Sequence, residues 1–193
     1  MTKKEIDLIK HFGMTISEYA SDEVQQQVLK GSESLKKSSR TEMSTWLQGA
    51  MERFDALVEE GTRNRIMQDC GYNCARVNKS TIERMGRKRE RFSALEEFID
   101  YEVKHPSKIQ RIERDGDRIL QYYSPKEFRD GWRCFCGVWR ELPDGEKTST
   151  TWCQCSRAFV EKVWEMYAGK PVQVELLESS ISGAKECIFE IKL

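Results

Sequence analysis

The seven cysteines of this 193-residue chain are the residues with the most distinctive chemistry. Four of them form two Cys-x-Cys pairs, Cys134/Cys136 and Cys153/Cys155. If each pair lies on a β-strand, both of its sulfurs point to one face, because side chains alternate along a strand. Thiolates bind soft metal ions and act as nucleophiles, so the pairs predict either a metal site or a reactive thiol.

The segment between the two pairs predicts a β-hairpin with the Pro-Asp-Gly sequence of residues 143–145 at its turn. Pairing Leu142 with Lys147 brings all four thiols together on one face. Pairing Leu142 with Glu146, as in a three-residue loop with a bulge at the glycine, sends the two pairs to opposite faces. The turn residues leave both registers open.

Three further cysteines lie in other predicted elements. Cys70 and Cys74 are one turn apart on the apolar stripe of a predicted helix, with Ile66 and Val77. This spacing predicts either two small buried side chains or a pair of ligands or redox thiols. Cys187 begins the last predicted strand, on the face that it shares with the apolar residues Phe189, Ile191 and Leu193.

A predicted helix beginning at Ser156 makes Cys155 the candidate nucleophile, because a helix N-terminus favours a thiolate. The chain has only two histidines, His11 and His105. The chain therefore offers few histidines from which a zinc site or the triad of a Ser-His-Asp hydrolase could be built.

The elements that must position these residues indicate an α+β fold, with an N-terminal helical region followed by an antiparallel sheet and a packed helix. We divide the chain into a helical extension with its linker (1–43) and an α+β domain (44–193), which is helical over 44–104 and forms sheet and helix over 105–193. Gly13 is expected to end the first helix. Residues 32–44, rich in serine, are read as the linker, and Ser44 as the cap of the next helix.

The predicted sheet consists of a hairpin turning at residues 115–117, the two Cys-x-Cys strands, a strand over 172–177 and the closing strand from Cys187. The packed helix runs from Ser156 to Gly169, where glycine followed by proline is a typical helix end.

Composition limits the classes of partner. Lys plus Arg number 32 and Asp plus Glu number 32, so no broad field attracts nucleic acid or an anionic membrane, and neither is expected as a partner. The sequence has no signal peptide and no run of about 18 apolar residues, which predicts a cytoplasmic protein. Thiols stay reduced in that compartment, so the cysteines are not expected to form a disulfide framework.

The last third of the chain, residues 131–193, resembles the 4-vinyl reductase domain, a ligand-sensing α/β module. The matching features are Cys155 before a helix, Gly169-Lys-Pro-Val, a strand that ends in Glu178-Ser179, and Gly183 followed four residues later by Cys187-Ile-Phe-Glu-Ile. The chain is also similar to the 2-amino-thiazoline-4-carboxylic acid hydrolase-like family and to uncharacterised cysteine-rich bacterial proteins.

The resemblance implies a zinc ion held by a cysteine before the helix, a cysteine ending the following strand, a cysteine in the terminal segment and a nearby carboxylate. Cys155 and Cys187 match the first and third of these ligands. Ser179 stands where the second is expected, with Glu175 and Glu178 close by. One of the remaining cysteines of this region would have to fill that position: Cys134, Cys136 or Cys153.

The leading hypothesis is therefore a small-molecule-binding, sensor-like domain with a cysteine-rich zinc site, for which an iron–sulfur cluster is the alternative cofactor. A hydrolase of the thiazoline-carboxylate type, using Cys155 or a metal-bound water, is the second hypothesis. An oligomeric structural protein with buried cysteines is the third. By analogy with the family we expect a homodimer. The predicted metal ligands are Cys134, Cys136, Cys153, Cys155 and Cys187, with Cys70, Cys74 and Glu178 as additional candidates.

Overall fold

A computed structural model describes residues 3–116 and 118–193 of the chain. These residues form the α+β fold that the sequence predicts, with eight α-helices and one antiparallel sheet. The helices are α1 (Lys3–Tyr19), α2 (Asp22–Val28), α3 (Arg40–Leu57), α4 (Glu60–Val77), α5 (Lys79–Arg89), α6 (Leu95–Lys104), α7 (Pro125–Phe128) and α8 (Cys153–Ala168). The strands are β1 (Gln110–Asp115), β2 (Arg118–Tyr123), β3 (Gln173–Glu178) and β4 (Cys187–Lys192). No helix in this part of the chain is both long and apolar enough to cross a membrane.

The sheet has the strand order β1-β2-β4-β3, and each neighbouring pair is antiparallel. The predicted hairpin is confirmed, since Asp115 pairs with Arg118; Asp117, which the sequence placed in its turn, lies outside the described residues. In the closing strand Phe189 and Ile191 are fully buried, as predicted, but the alternation is incomplete, because Glu190 on the opposite face is also buried and Leu193 is exposed.

Helix α8 lies between two hydrophobic cores and contributes to both. Its middle and end, including Val160 and Trp164, pack with the sheet residues Phe189 and Ile191. Its first turn, beginning with Cys153, packs in a second core built from the N-terminal helices and residues 134–142. The thiols of the first turn are therefore held where the two halves of the fold meet.

The first helix does not end at Gly13, as the sequence analysis expected, but continues to Tyr19. A Cβ atom added to Gly13 would lie 2.5 Å from Cδ1 of Leu29, directly after α2. The glycine therefore serves close packing of α2 against α1, and the prediction that it terminates the helix is wrong.

The serine-rich segment 32–44 is not an irregular linker. A 3-10 helix occupies Ser32–Lys37, and α3 begins at Arg40 with Ser39 as its N-cap. Ser39 accepts from the backbone N–H of Glu42, whose side chain accepts in return from the backbone N–H of Ser39, which is a complete capping box. Ser44, the predicted cap, lies buried inside the helix.

The Cys-x-Cys hairpin does not form, so neither predicted register applies. Residues 131–149 are a loop of turns and irregular backbone. The buried guanidinium of Arg133 donates to the carbonyl oxygens of Pro143 (2.8 Å), Glu146 (3.2 Å) and Ser180 (3.2 Å). These bonds satisfy carbonyls that would otherwise need a strand partner, so the loop is stable without a ladder.

Helix α8 begins at Cys153 and not at the predicted Ser156. The hydroxyl of Ser149 accepts from the backbone N–H of Thr151 at 3.2 Å and starts a 3-10 turn over Thr150–Trp152, which leads into the helix. The second Cys-x-Cys pair is therefore helical. Its two thiols are separated by two helical positions instead of sharing one face of a strand.

Candidate thiol site

All seven cysteines are free thiols, and four parts of the fold carry them. Cys70 and Cys74 lie on α4, Cys134 and Cys136 in the loop, Cys153 and Cys155 in the first turn of α8, and Cys187 at the start of β4. Their mutual electrostatic effects join them into one continuous cluster, within which two groups can be distinguished.

The first group, which we call the loop thiol group, consists of Cys134, Cys136, Cys153 and Cys187. Cys134 is at its centre: burial raises the pKa of its thiol well above the ordinary value, and the nearby thiols Cys136, Cys187 and Cys153 raise it further. The backbone N–H of Cys136 donates to Sγ of Cys134 at 3.3 Å. The thiol of Cys134 is thus influenced by one thiol from β4, one from α8 and one from its own loop.

Two serines contact the outer members of the loop thiol group. Oγ of Ser179 lies 2.9 Å from Sγ of Cys153. Oγ and the backbone N–H of Ser180 lie 3.3 Å and 3.4 Å from Sγ of Cys187. Ser179, which occupies the position where the resemblance expects a cysteine ligand, is thus beside the thiols and fully buried.

The second group, the helix thiol group, consists of Cys70, Cys74 and Cys155. It forms where α4 and α8 approach most closely, at Gly71: a Cβ atom added there would lie 2.4 Å from the carbonyl oxygen of Cys155 and 2.5 Å from Cβ of Ala158. The neighbouring thiol of Cys74 is the largest single influence that raises the pKa of Cys155.

The buried thiols of the cluster are kept protonated. Burial raises the pKa of Cys70 to about 12 and that of Cys136 to about 11. The thiol of Cys74, burial and the other neighbouring thiols raise the pKa of Cys155 well above its ordinary value. The sequence predicted a thiolate at Cys155 from the helix dipole, but in this buried position desolvation and the thiol partner outweigh the dipole.

A metal site is not fully formed in this arrangement. Among the residues that the structure describes, no three side chains of His, Cys, Asp or Glu are grouped so that they could hold a metal ion. Glu178, an additional candidate ligand, is exposed at the end of β3, and Glu175 pairs with Lys192 on the same surface. The donor chemistry that remains is that of thiols alone, which suits a soft ion.

Sequence reasoning missed a histidine beside the helix thiol group. Nε2 of His11 lies 2.9 Å from Oδ2 of Asp69, and the hydroxyl of Thr15 donates to the carbonyl oxygen of His11 at 2.8 Å. The same Thr15 offsets part of the rise in the pKa of the Cys70 thiol that burial causes. The four-residue spacing of His11 and Thr15 could have indicated this, because it places both side chains on one face of α1.

A buried donor also lies next to the loop thiol group. Nε1 of Trp139 has no hydrogen-bond partner within the described part of the chain. Its indole packs edge to face on Trp152, with ring centroids 6.0 Å apart, and Trp152 in turn offsets part of the rise in the pKa of the Cys136 thiol that burial causes. A buried indole N–H normally finds an acceptor, so this position suits an acceptor atom from outside the chain.

Comparison with known proteins gives little about activity. A model described as a family of unknown function, DUF6144, matches residues 4–193. The curated proteins contain no match. Among solved structures, an H-NOX protein from S. oneidensis in the Fe(II)NO ligation state aligns with a TM-score of 0.43 and 12% sequence identity, over 96% of this chain and 97% of that chain. We infer neither fold nor ligand from so distant a likeness.

Proposed function

Because the chain belongs to this family of unknown function, DUF6144, we propose a function from the site itself: a small-molecule-binding, sensor-like domain whose buried thiols take up a soft metal ion, zinc above all. Two observations support the proposal: the backbone N–H of Cys136 donates to Sγ of Cys134 at 3.3 Å, and the thiols of Cys136, Cys153 and Cys187, from the loop, α8 and β4, are near enough to raise the pKa of Cys134.

Four thiols, two of them buried and two half-buried, are a chemically suitable donor set. Zinc binds thiolates in tetrahedral geometry, and it can displace thiol protons that burial otherwise retains. Bound there, zinc would supply a clamp between the loop, α8 and β4. Because the thiols are not grouped as formed ligands within the described residues, binding has to rotate these side chains, and this rearrangement lowers the affinity.

The test is the metal content of protein purified without a histidine tag. We expect about one zinc ion per chain, and substitution by cobalt should give the visible absorption of a tetrahedral thiolate site. The double variant Cys134→Ser/Cys153→Ser should lose the ion. The matched control is Cys70→Ser, which removes another fully buried thiol outside the loop thiol group and should keep the ion.

Less than about a tenth of a metal ion per chain, with all thiols titrating free, would contradict the metal proposal and favour the cysteines as packing residues. Visible absorption from bound iron and sulfide would point to an iron–sulfur cluster instead. The homodimer is part of the proposal as well, and light scattering of the purified protein checks it.

The resemblance to the 4-vinyl reductase domain stays a prediction, as does the hydrolase alternative. The environment of Cys155 does not favour a nucleophile, because its thiol is buried and the neighbouring thiol of Cys74 raises its pKa. Iodoacetamide mapping against pH checks this: modification of Cys155 at a pH well below its ordinary pKa of about 8.5 would restore the hydrolase hypothesis.

A further inference from the structure

A cleft opens between α4, α5 and α8, and its lining contains no cysteine. Its volume is about 650 Å³, which lies within the range of small-molecule sites. Ala75, Ile82, Gly86 and Met166 provide its apolar lining. Gly86 keeps it open, since a Cβ atom added there would lie 3.0 Å from Sδ of Met166.

The rim of the cleft carries an excess of positive charge. Five cationic side chains line it against two carboxylates; the cations are Arg76, Lys79, Arg87, Arg89 and Lys162. Lys162 also pairs with Glu165 outside the lining, at 2.6 Å, which leaves two unbalanced positive charges. Lys79 pairs with Glu83 inside the rim, at 3.6 Å. Arg87 is exposed and has no ion pair among the described residues.

The charge at Arg89 is likewise not cancelled by its hydrogen bonds. Its guanidinium donates to the carbonyl oxygens of Tyr167 at 3.1 Å and Phe92 at 2.8 Å. Carbonyl groups hold the side chain in place but carry no formal charge. A positive potential therefore stays directed at the cleft even though the whole chain has no net charge.

We propose that this cleft binds a small organic anion, with an apolar body on Ile82, Gly86 and Met166 and a carboxylate or phosphate group at the cationic rim. This inference rests on the small-molecule-binding part of the proposed function but not on the metal. An apolar floor with a few charged groups at its edge is the usual composition of a site for such a ligand.

A nucleic acid fits the cleft less well. Base recognition without sequence preference needs exposed aromatic faces, and the aromatic residue of the lining is Tyr72. Nζ of Lys162 lies 4.4 Å from the centroid of its ring and covers that face, while its hydroxyl donates to Glu161 at 2.9 Å. The ring is thus already engaged within the protein.

The test is calorimetric titration of the full chain with sodium decanoate, which has both required parts, against acetate and 1-decanol, which each have one. Decanoate should bind with one site per chain, and each half-probe at least about tenfold more weakly. Decyl phosphate in place of decanoate distinguishes the two acidic groups.

Two variants localise the binding. Arg87→Glu should weaken decanoate about tenfold, the size expected when one exposed charge attraction becomes a repulsion. Its matched control is Arg84→Glu, the same charge change at an exposed position of α5 outside the lining, which should leave binding unchanged. Gly86→Leu should fill the cleft and abolish binding while circular dichroism and thermal unfolding show a folded chain.

Three results would overturn the inference: equal effects of Arg87→Glu and Arg84→Glu, equal affinity for decanoate and either half-probe, or binding to anionic vesicles without saturable binding of monomeric decanoate. Failure here leaves the metal proposal untouched, because zinc content is measured separately. Absence of zinc, in turn, would not alter the expected decanoate affinity.

Discussion

The contact between α4 and α8 at Gly71 provides the sharpest test of how the thiols are positioned. We predict that Gly71→Ala destabilises the protein. The new Cβ would lie 2.4 Å from the carbonyl oxygen of Cys155 and 2.5 Å from Cβ of Ala158. The first of these atoms is backbone, so it cannot rotate away, and the helices have to separate.

Two opposing effects set the magnitude. Alanine favours a helix over glycine by up to about 1 kcal/mol, whereas an extra methyl group in a packed interior costs about 1–3 kcal/mol. Because a backbone atom is the obstacle, we expect the upper part of that cost and a net loss of about 2 kcal/mol. For a chain of this size that loss lowers Tm by about 4–8 °C.

The assay is thermal and urea unfolding of Gly71→Ala beside Gly49→Ala. Gly49 is also inside a helix, α3, but the nearest atom to its added Cβ is Nη1 of Arg53 at 3.2 Å, at the end of a flexible side chain. The control should therefore be neutral or slightly stabilised. Equal stability of the two variants would refute the close approach of α4 and α8.

Two further predictions concern groups beside the thiols. Mild oxidation with diamide should link Cys74 to Cys155, which peptide mapping detects, and Cys74→Ser should prevent it. A link between other cysteines instead would contradict the proximity of these two thiols. The Arg111 guanidinium lies 2.7 Å from Glu186 and lowers the pKa of that carboxyl. The ion pair therefore stabilises the fold fully above the unfolded pKa of about 4.3, and this stabilisation is lost as the pH falls through the lower pKa of the folded state. Glu186→Gln should therefore destabilise the protein at pH 7, and urea unfolding should show the difference shrinking below about pH 4, whereas a constant difference would contradict it.

Local periodicity was enough to predict most of the fold. The stripe of Ile66 and Cys70 predicts a core-facing helix, and both side chains are fully buried in α4, although Val77 at the end of the same stripe is half exposed. The alternation of Phe189 and Ile191 likewise predicts β4. In each case the apolar residues recur at the spacing of one helix face or one strand face, so the same pattern predicts both the secondary structure and the buried side.

The loop could not be predicted because its conformation depends on a contact with a residue that is distant in the sequence. Residues 131–149 have the aromatic flanks and turn residues of a hairpin, and the Pro-Asp-Gly turn does form, with Gly145 at φ 86° and a bond from the N–H of Glu146 to the carbonyl of Pro143. The buried guanidinium of Arg133 donates to the carbonyl oxygen of Ser180, 47 residues away, and its hydrogen bonds take the place of those between two paired strands. No pattern in the neighbouring sequence predicts such a contact.

The change from strand to helix at the second Cys-x-Cys pair explains why the cysteines divide into two groups. On a strand, Cys153 and Cys155 would point to one face, whereas on a helix two positions differ by about 200° in direction. Cys153 accordingly contacts Ser179 on the sheet side, and Cys155 contacts Cys74 on α4. Substitution of Cys153 should therefore affect metal content alone and substitution of Cys155 the oxidative link alone, although the two residues are separated by a single position in the sequence.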